Sequence, residues 1–195
     1  MTLKHSHADV YSYTSLRIYT CCLSKPQMNY SIRDEQPQDV STIATLTTLA
    51  FKDQTYSDGN EAAIVDGLRK SRQLTLSLVA ESGSKIIGHI AFSPVTTNGE
   101  RRDWYGLGPV SVSPERQKQG IGSALVREPL KRMTELGGKG CVLLGDPGFY
   151  QRFGFKLCPS LRCDAGPQEY FMALPLNSAM VPHGKADFHE SFSVA

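Results

Sequence analysis

Between Leu107 and Leu136 the chain reads LGPVSVSPERQKQGIGSALVREPLKRMTEL. Its most chemically suggestive residues are Gln117, Gly120 and Gly122, at Q-x-x-G-x-G spacing, with Arg116 and Lys118 beside them. A glycine-bearing polar loop that opens a helix is suited to holding an anion. The first N–H groups of a helix have no internal acceptor, and the helix dipole adds partial positive charge there. Glycines at positions 120 and 122 leave out the Cβ atoms that would keep a phosphate away from those donors. The same residue types also make an ordinary solvated turn capping a helix, so the spacing alone leaves both readings open. A Walker A loop needs Gly-Lys-Ser/Thr at its end, whereas the chain has Gly122-Ser123-Ala124; a dinucleotide fingerprint needs a third glycine where Leu125 stands. His89, within an apolar stretch, is a candidate proton acceptor or a histidine satisfied within a strand.

The elements that must position this loop follow from periodicity. Leu107 to Val112 alternates apolar and small residues as a half-buried strand does, and Ser113-Pro114 breaks it. Beyond the loop, Ile121, Ala124, Leu125, Met133 and Leu136 share one helical face, with Gly137-Gly138 as the stop and Pro129 predicting a kink or break near Glu128. Upstream, Tyr30 to Arg33 reads as a strand, Gln36 to Phe51 and Glu61 to Arg72 as helices, and Leu74–Ala80 and Ile86–Pro94 as a hairpin. Thr97 to Glu100 reads as a turn into a strand beginning near Trp104-Tyr105. Downstream, Cys141 to Gly145 reads as a buried strand, with Lys156-Leu157 and Tyr170–Leu176 as later strands. Early strands pair as a hairpin and late ones alternate with helices, which predicts a mixed α/β or α+β sheet of six or seven strands in one domain.

Gln117-x-x-Gly120-x-Gly122 after a strand resembles the acyl-CoA-binding motif of the GNAT superfamily of N-acyltransferases. Downstream, Tyr150-Gln151-Arg152-Phe153-Gly154-Phe155 resembles the family's tyrosine segment ending in Gly-Phe, and Ile86 to Phe92 resembles its third strand. The resemblance spans about Tyr30 to Leu176. It implies the GNAT fold, a mostly antiparallel central sheet of six or seven strands with about four helices. It also implies transfer of an acetyl group from acetyl-CoA to a primary amine by direct attack. Backbone N–H groups of Gln119, Gly120, Ile121, Gly122 and Ser123 would then hold the pyrophosphate, with Arg116, Gln117 and Lys118 near the phosphates. Val110, Ser111 and Val112, on a central strand splayed from its neighbour at a bulge, would hold the pantetheine arm and polarise the thioester. Tyr150 would protonate the departing sulfur. Relatives often carry a glutamate on the central strand, but Gly106 to Val112 holds no acid; Asp146, His89, Asp103 and Glu115 are the candidate bases, and the choice is open. Asp146 serves equally well as a helix cap. In the same fold the two early helices border the acceptor cleft, which makes Tyr56 and Asp58 candidate substrate contacts. A non-catalytic acyl-CoA-binding or interaction module on this fold is the alternative function.

Composition narrows the rest. The 195 residues are enough for one domain with a full core. A net charge of +2 gives no electrostatic reason for a nucleic-acid partner, and no apolar run has the length of a membrane span. Five cysteines, odd in number and without a C-x-x-C pair, indicate a reduced cytoplasmic protein. Cys158, Cys163, His183 and His189 match no metal-site spacing, so no metal is expected. Residues 1–27 lack periodicity and an unbroken apolar core, and read as a dispensable extension before a domain over 28–176; residues 177–195 read as a tail. The expected partner is a small-molecule or peptide amine, and a homodimer is the assembly favoured by symmetry.

Overall fold

The computed structural model describes residues 29–54 and 57–193. The expectations for residues 1–27 and for Tyr56 therefore fall outside the described residues. In chain order the elements are β1 (Ser31–Asp34), α1 (Val40–Phe51), α2 (Glu61–Lys70), β2 (Leu76–Ser82), β3 (Lys85–Thr97), β4 (Glu100–Val112) and α3 (Ile121–Glu135). They continue with β5 (Gly140–Leu144), α4 (Pro147–Tyr150), β6 (Lys156–Leu157), β7 (Leu161–Arg162), β8 (Phe171–Pro175) and β9 (Gly184–Asp187).

The sheet runs β1-β2-β3-β4-β5-β8-β6, with β9 pairing both the far end of β3 and β7. It has nine strands, not six or seven. The difference comes from β7 and β9, two and four residues long, too short to show the alternation that marks a strand in sequence. All pairings are antiparallel except β4–β5 and β7–β9. The Asn98-Gly99 turn joins the two longest strands, β3 and β4.

Two layers cover the sheet. On one face α3 sends Ile121, Leu125, Val126 and Met133 onto Leu78, Ile90, Phe92 and Leu107, the largest apolar cluster. On the other face α1 and α2 bury Ile43 and Val65 against Val79 and Ala91. Beyond them Val95, Trp104, Val142, Phe171 and Ala186 form a third cluster. Residues 177–195 thus include more than a tail. β9 hydrogen-bonds Thr96 and Thr97 of β3, Phe188 lies on Gly106, and Ser191 is buried against Gly67 of α2.

Pro129 does not break α3, which is continuous from Ile121 to Glu135. A proline here forgoes one backbone hydrogen bond. Its neighbours Leu125, Val126, Leu130 and Met133 are buried, and their packing holds the helix across that gap.

Candidate active site

The position of the site is set by where β4 loses its neighbour. β4 pairs in parallel with β5 only at Trp104–Gly140, Tyr105–Cys141 and Gly106–Val142. β4 then continues to Val112 and β5 to Leu144 without pairing each other, while β5 stays paired with β8 throughout. The split follows from a bulge. On β3, Ile90 faces Val110 and Phe92 faces Leu107, so an extra residue is accommodated in β4 at Gly108-Pro109. The strand bends there and turns its far end away from β5. Val110, Ser111 and Val112, the segment expected to hold the pantetheine arm, are β4's run into the open end of this split.

The glycine loop follows directly. Ser113 N–H bonds back to Ile87, and a short 3-10 turn at Pro114–Arg116 reverses the chain. Lys118 (φ 58°) and Gly120 (φ 88°) adopt left-handed backbone, which costs about 1–2 kcal/mol for a residue with a Cβ; glycine at 120 removes one of those two costs. The first intrahelical bond of α3 runs from Ala124 N–H to Gly120 C=O, so the N–H groups of Ile121, Gly122 and Ser123 precede the helical ladder. No side chain caps them. Arg116 to Gly120 are exposed, and neither Arg116 nor Lys118 enters an ion pair with a described residue. A Cβ built on Gly122 would stand 3.6 Å from both Val112 and Phe149, which puts the helix start beside the open end of the split.

Two glutamines shape the loop rather than pointing out of it. The Gln117 side-chain amide donates to Val112 C=O at 3.2 Å, and that of Gln119 to Glu115 C=O at 3.1 Å. Gln117 therefore ties the loop to the end of β4.

Tyr150 sits across the split, at the end of α4 after β5. Its ring rests on Gly145, where an added Cβ would meet it at 2.5 Å, and it packs edge-on against Phe149 at 4.9 Å and Phe155 at 6.0 Å. Gly145 is a positional requirement that no local sequence signal marks.

The four candidate bases separate cleanly. Asp146 is the N-cap of α4, its carboxylate accepting from Gly148 N–H at 2.9 Å. Asp103 lies at the opposite end of β4 from Val112, about 30 Å along an extended strand. Glu115 is exposed on the loop. His89 is fully buried under α1 and α2, in register with Ser111. The structure thus does not bring these four together. Asp58, the acceptor-cleft candidate, is exposed in the α1–α2 connection.

His89 instead belongs to a network the sequence did not disclose. Arg69 makes a fork onto Glu35 at 2.7 and 3.1 Å, Ser77 donates its hydroxyl to the same carboxylate, and His89 Nε2 is 2.9 Å from Ser77 Oγ. Because Ser77's one proton goes to Glu35, His89 donates from Nε2 and leaves Nδ1 as a buried acceptor with no partner among the described residues. Burial pulls the His89 pKa down to about 4, against a smaller upward pull from Glu35, so the ring is neutral at pH 7. Burial would raise the Glu35 pKa, but the hydrogen bonds from Arg69 and Ser77 outweigh it and hold the carboxyl below its usual value. Elsewhere, burial pushes the Cys141 thiol up to about 12, and Cys141, Cys158 and Cys163 are all free and buried. Among the described residues no three His, Cys, Asp or Glu side chains group to hold a metal ion, and no helix is long and apolar enough to cross a membrane.

A strand pair opened by a bulge, followed by a glycine loop at a helix start, gives a concrete basis for comparison with known proteins. Residues 31–158 match the family profile described as an acetyltransferase (GNAT) domain. The chain belongs to the GNAT acetyltransferase family. Over 168 residues it is 38% identical to the N-acetyltransferase YhbS of Escherichia coli K12, covering 83% of this chain and 98% of that protein. A GNAT family acetyltransferase from Brucella melitensis, solved in complex with acetyl-CoA, is 47% identical. It superposes with a TM-score of 0.76, covering 85% of this chain and 99% of the other. Escherichia coli YhbS, solved in complex with CoA, is 35% identical at a TM-score of 0.76, covering 88% and 96%. These GNAT similarities make the chain an acyltransferase of the N-acetyltransferase type and give the sheet and helices their family frame.

Proposed function

We propose that this GNAT protein transfers the acetyl group of acetyl-CoA to the primary amine of a small molecule or peptide, by direct attack with donor and acceptor bound together. The observation that carries the reading is the parting of β4 from β5 beyond Gly106, with an uncapped helix start next to its open end. The residues fit such a donor. Ahead of the helical ladder are the N–H groups of Ile121, Gly122 and Ser123, and a Cβ at Gly120 would meet nothing within 4 Å. Gln119, Gly120, Ile121, Gly122 and Ser123 would offer backbone N–H groups to the pyrophosphate, and Arg116 and Lys118 their charges. Gln117 acts through Val112, fixing the strand end that it braces. Val110, Ser111 and Val112 would offer backbone groups to the pantetheine amides and an N–H to the thioester oxygen.

Acetyl-CoA, when bound, supplies an activated thioester. Tyr150 would give a proton to the leaving sulfur, a phenol of reference pKa about 10 being well matched to a thiolate. The amine's proton would leave through solvent, since Asp146 caps a helix, Asp103 is remote, His89 is sealed from contact and Glu115 is exposed on the outer loop. Direct attack is favoured over an acyl-enzyme because the described cysteines are buried, Cys141 with a raised pKa.

Initial rates with varied acetyl-CoA and varied amine, drawn from a panel of primary amines and read by thiol release, test this. Intersecting double-reciprocal lines are expected, with no radiolabel retained by protein incubated with labelled acetyl-CoA alone. Parallel lines with a labelled protein intermediate would replace direct attack by a two-step route.

A further inference from the structure

The C-terminal arm bears on the apex of the split. Phe188, directly after β9, lies against Gly106, the last residue of β4 paired to β5. A Cβ added at Gly106 would stand 2.6 Å from the Phe188 ring and 3.2 Å from Val95. The ring is held from both sides. β9 pairs Thr96 and Thr97 of β3, Phe192 packs at 4.9 Å from Phe188, and Ser191 fits against Gly67 of α2, where an added Cβ would meet its hydroxyl at 2.5 Å. His189 Nδ1 accepts from Ser191 N–H at 3.2 Å and closes the turn between them. Beside Gly106, on the same face and in register with it, Ser93 is fully buried and its hydroxyl has no hydrogen-bond partner among the described residues.

We infer that Phe188 sets the acyl-chain length this protein accepts, closing the apex of the β4–β5 split so that a two-carbon acyl group fits and longer chains do not. The inference rests on the proposed mode of acetyl-CoA binding. With the pyrophosphate at the start of α3, the donor enters at the open end beside Val112, and its acyl end points toward the apex. About 20 Å of extended strand separates Val112 from Gly106. Each further methylene on the acyl group moves toward Gly106, Phe188 and the Ser93 hydroxyl. The ring and Val95 leave no space over Gly106, and an alkyl chain against Ser93 would seal a polar group among carbons. An aromatic side chain anchored by a paired strand and a packed turn makes a stiff stop. Glycine at 106 is what lets it lie so close to the strand.

Calorimetric titration of the full chain with CoA, acetyl-CoA, butyryl-CoA and hexanoyl-CoA tests the inference. The readout is the ratio of the hexanoyl-CoA Kd to the acetyl-CoA Kd. For the wild type this ratio is expected to be at least about tenfold. In Phe188→Ala it should fall at least about fivefold while the Kd for free CoA stays within about twofold, with Phe188→Leu intermediate. A ratio unchanged in Phe188→Ala overturns the inference, as does a wild type that binds hexanoyl-CoA as tightly as acetyl-CoA. If Phe188→Ala does not fold, the Phe188→Leu ratio decides by the same criterion. Failure of the wild type to bind CoA itself refutes the underlying binding mode instead, a distinct result that removes both.

Discussion

Two parts of this molecule are rich in residues that do chemistry, and they differ in how their polar groups are satisfied. The loop from Arg116 to Gly120 is exposed, the helix start that follows it has no side-chain cap among the described residues, and its two cations are outside any ion pair with a described residue. The chain Arg69–Glu35–Ser77–His89 runs from partly exposed Arg69 to fully buried His89 between sheet and helices, and its charges are paired. Judged by residue type, the buried chain is the better match for an active site: a histidine, a carboxylate and a serine in hydrogen-bond contact. Judged by access it is architecture, joining β1's trailing loop, α2, β2 and β3. The exposed loop has almost no catalytic side chains, yet it leaves backbone donors free beside an opened strand. Under the proposed function, the site lies where the backbone is left unpaired.

The comparison breaks most readily at Gly120. Gly120→Glu puts a carboxylate on left-handed backbone at the proposed pyrophosphate site, so acetyl-CoA binding should be lost, with the far-UV spectrum unchanged. Wild-type affinity in that variant would remove the loop from the account. Next in size, Tyr150→Phe should lower turnover about a hundredfold with acetyl-CoA affinity nearly intact. Turnover equal to wild type at saturating substrates, with chemistry rate-limiting, would take Tyr150 out of the acid role.

For the buried network the expected effects are on stability. His89 has a folded pKa near 4 against a reference value of 6.5, so the unfolded chain binds the extra proton between those values. Its contribution is fully present above about pH 6.5 and is lost as pH falls toward 4, on the order of 3 kcal/mol in total. The urea midpoint should fall across that window, and His89→Gln should flatten the slope. Glu35 has a lowered pKa, so its own loss of stability is confined to lower pH. An unaltered slope in His89→Gln would place the titration elsewhere. Smallest of the four, Glu35→Ala leaves Arg69 without its fork partner and should cost about 2 kcal/mol in chemical unfolding with acetyl-CoA affinity unchanged. A loss of affinity there, in folded protein, would connect the two regions.

How much of this was legible in the sequence tracks how local each feature is. Gly120 was legible because a left-handed loop residue at a helix start favours glycine, and Gly154-Phe155 because the left-handed turn and buried ring that follow Tyr150 depend on neighbours in the chain. The Asn98-Gly99 turn was legible for the same reason. Glu35 was not, since what makes it notable is Arg69, 34 residues away, and Ser77, 42 away. β9 and Phe188 were not, since four residues carry no period and their meaning comes from Thr96 and Gly106. Asp146 was open between base and cap, and the cap became visible only in the bond from Gly148 N–H. Pro129 suggests a break when local backbone sterics are weighed without the apolar neighbours that pack the helix into place.

The most direct test of the central claim is a calorimetric titration of the full chain with acetyl-CoA, with ATP and NAD as controls. Saturable one-to-one binding of acetyl-CoA, with no heat from ATP or NAD, is the predicted result. A folded protein that does not bind acetyl-CoA, or binds ATP or NAD equally well, would contradict it.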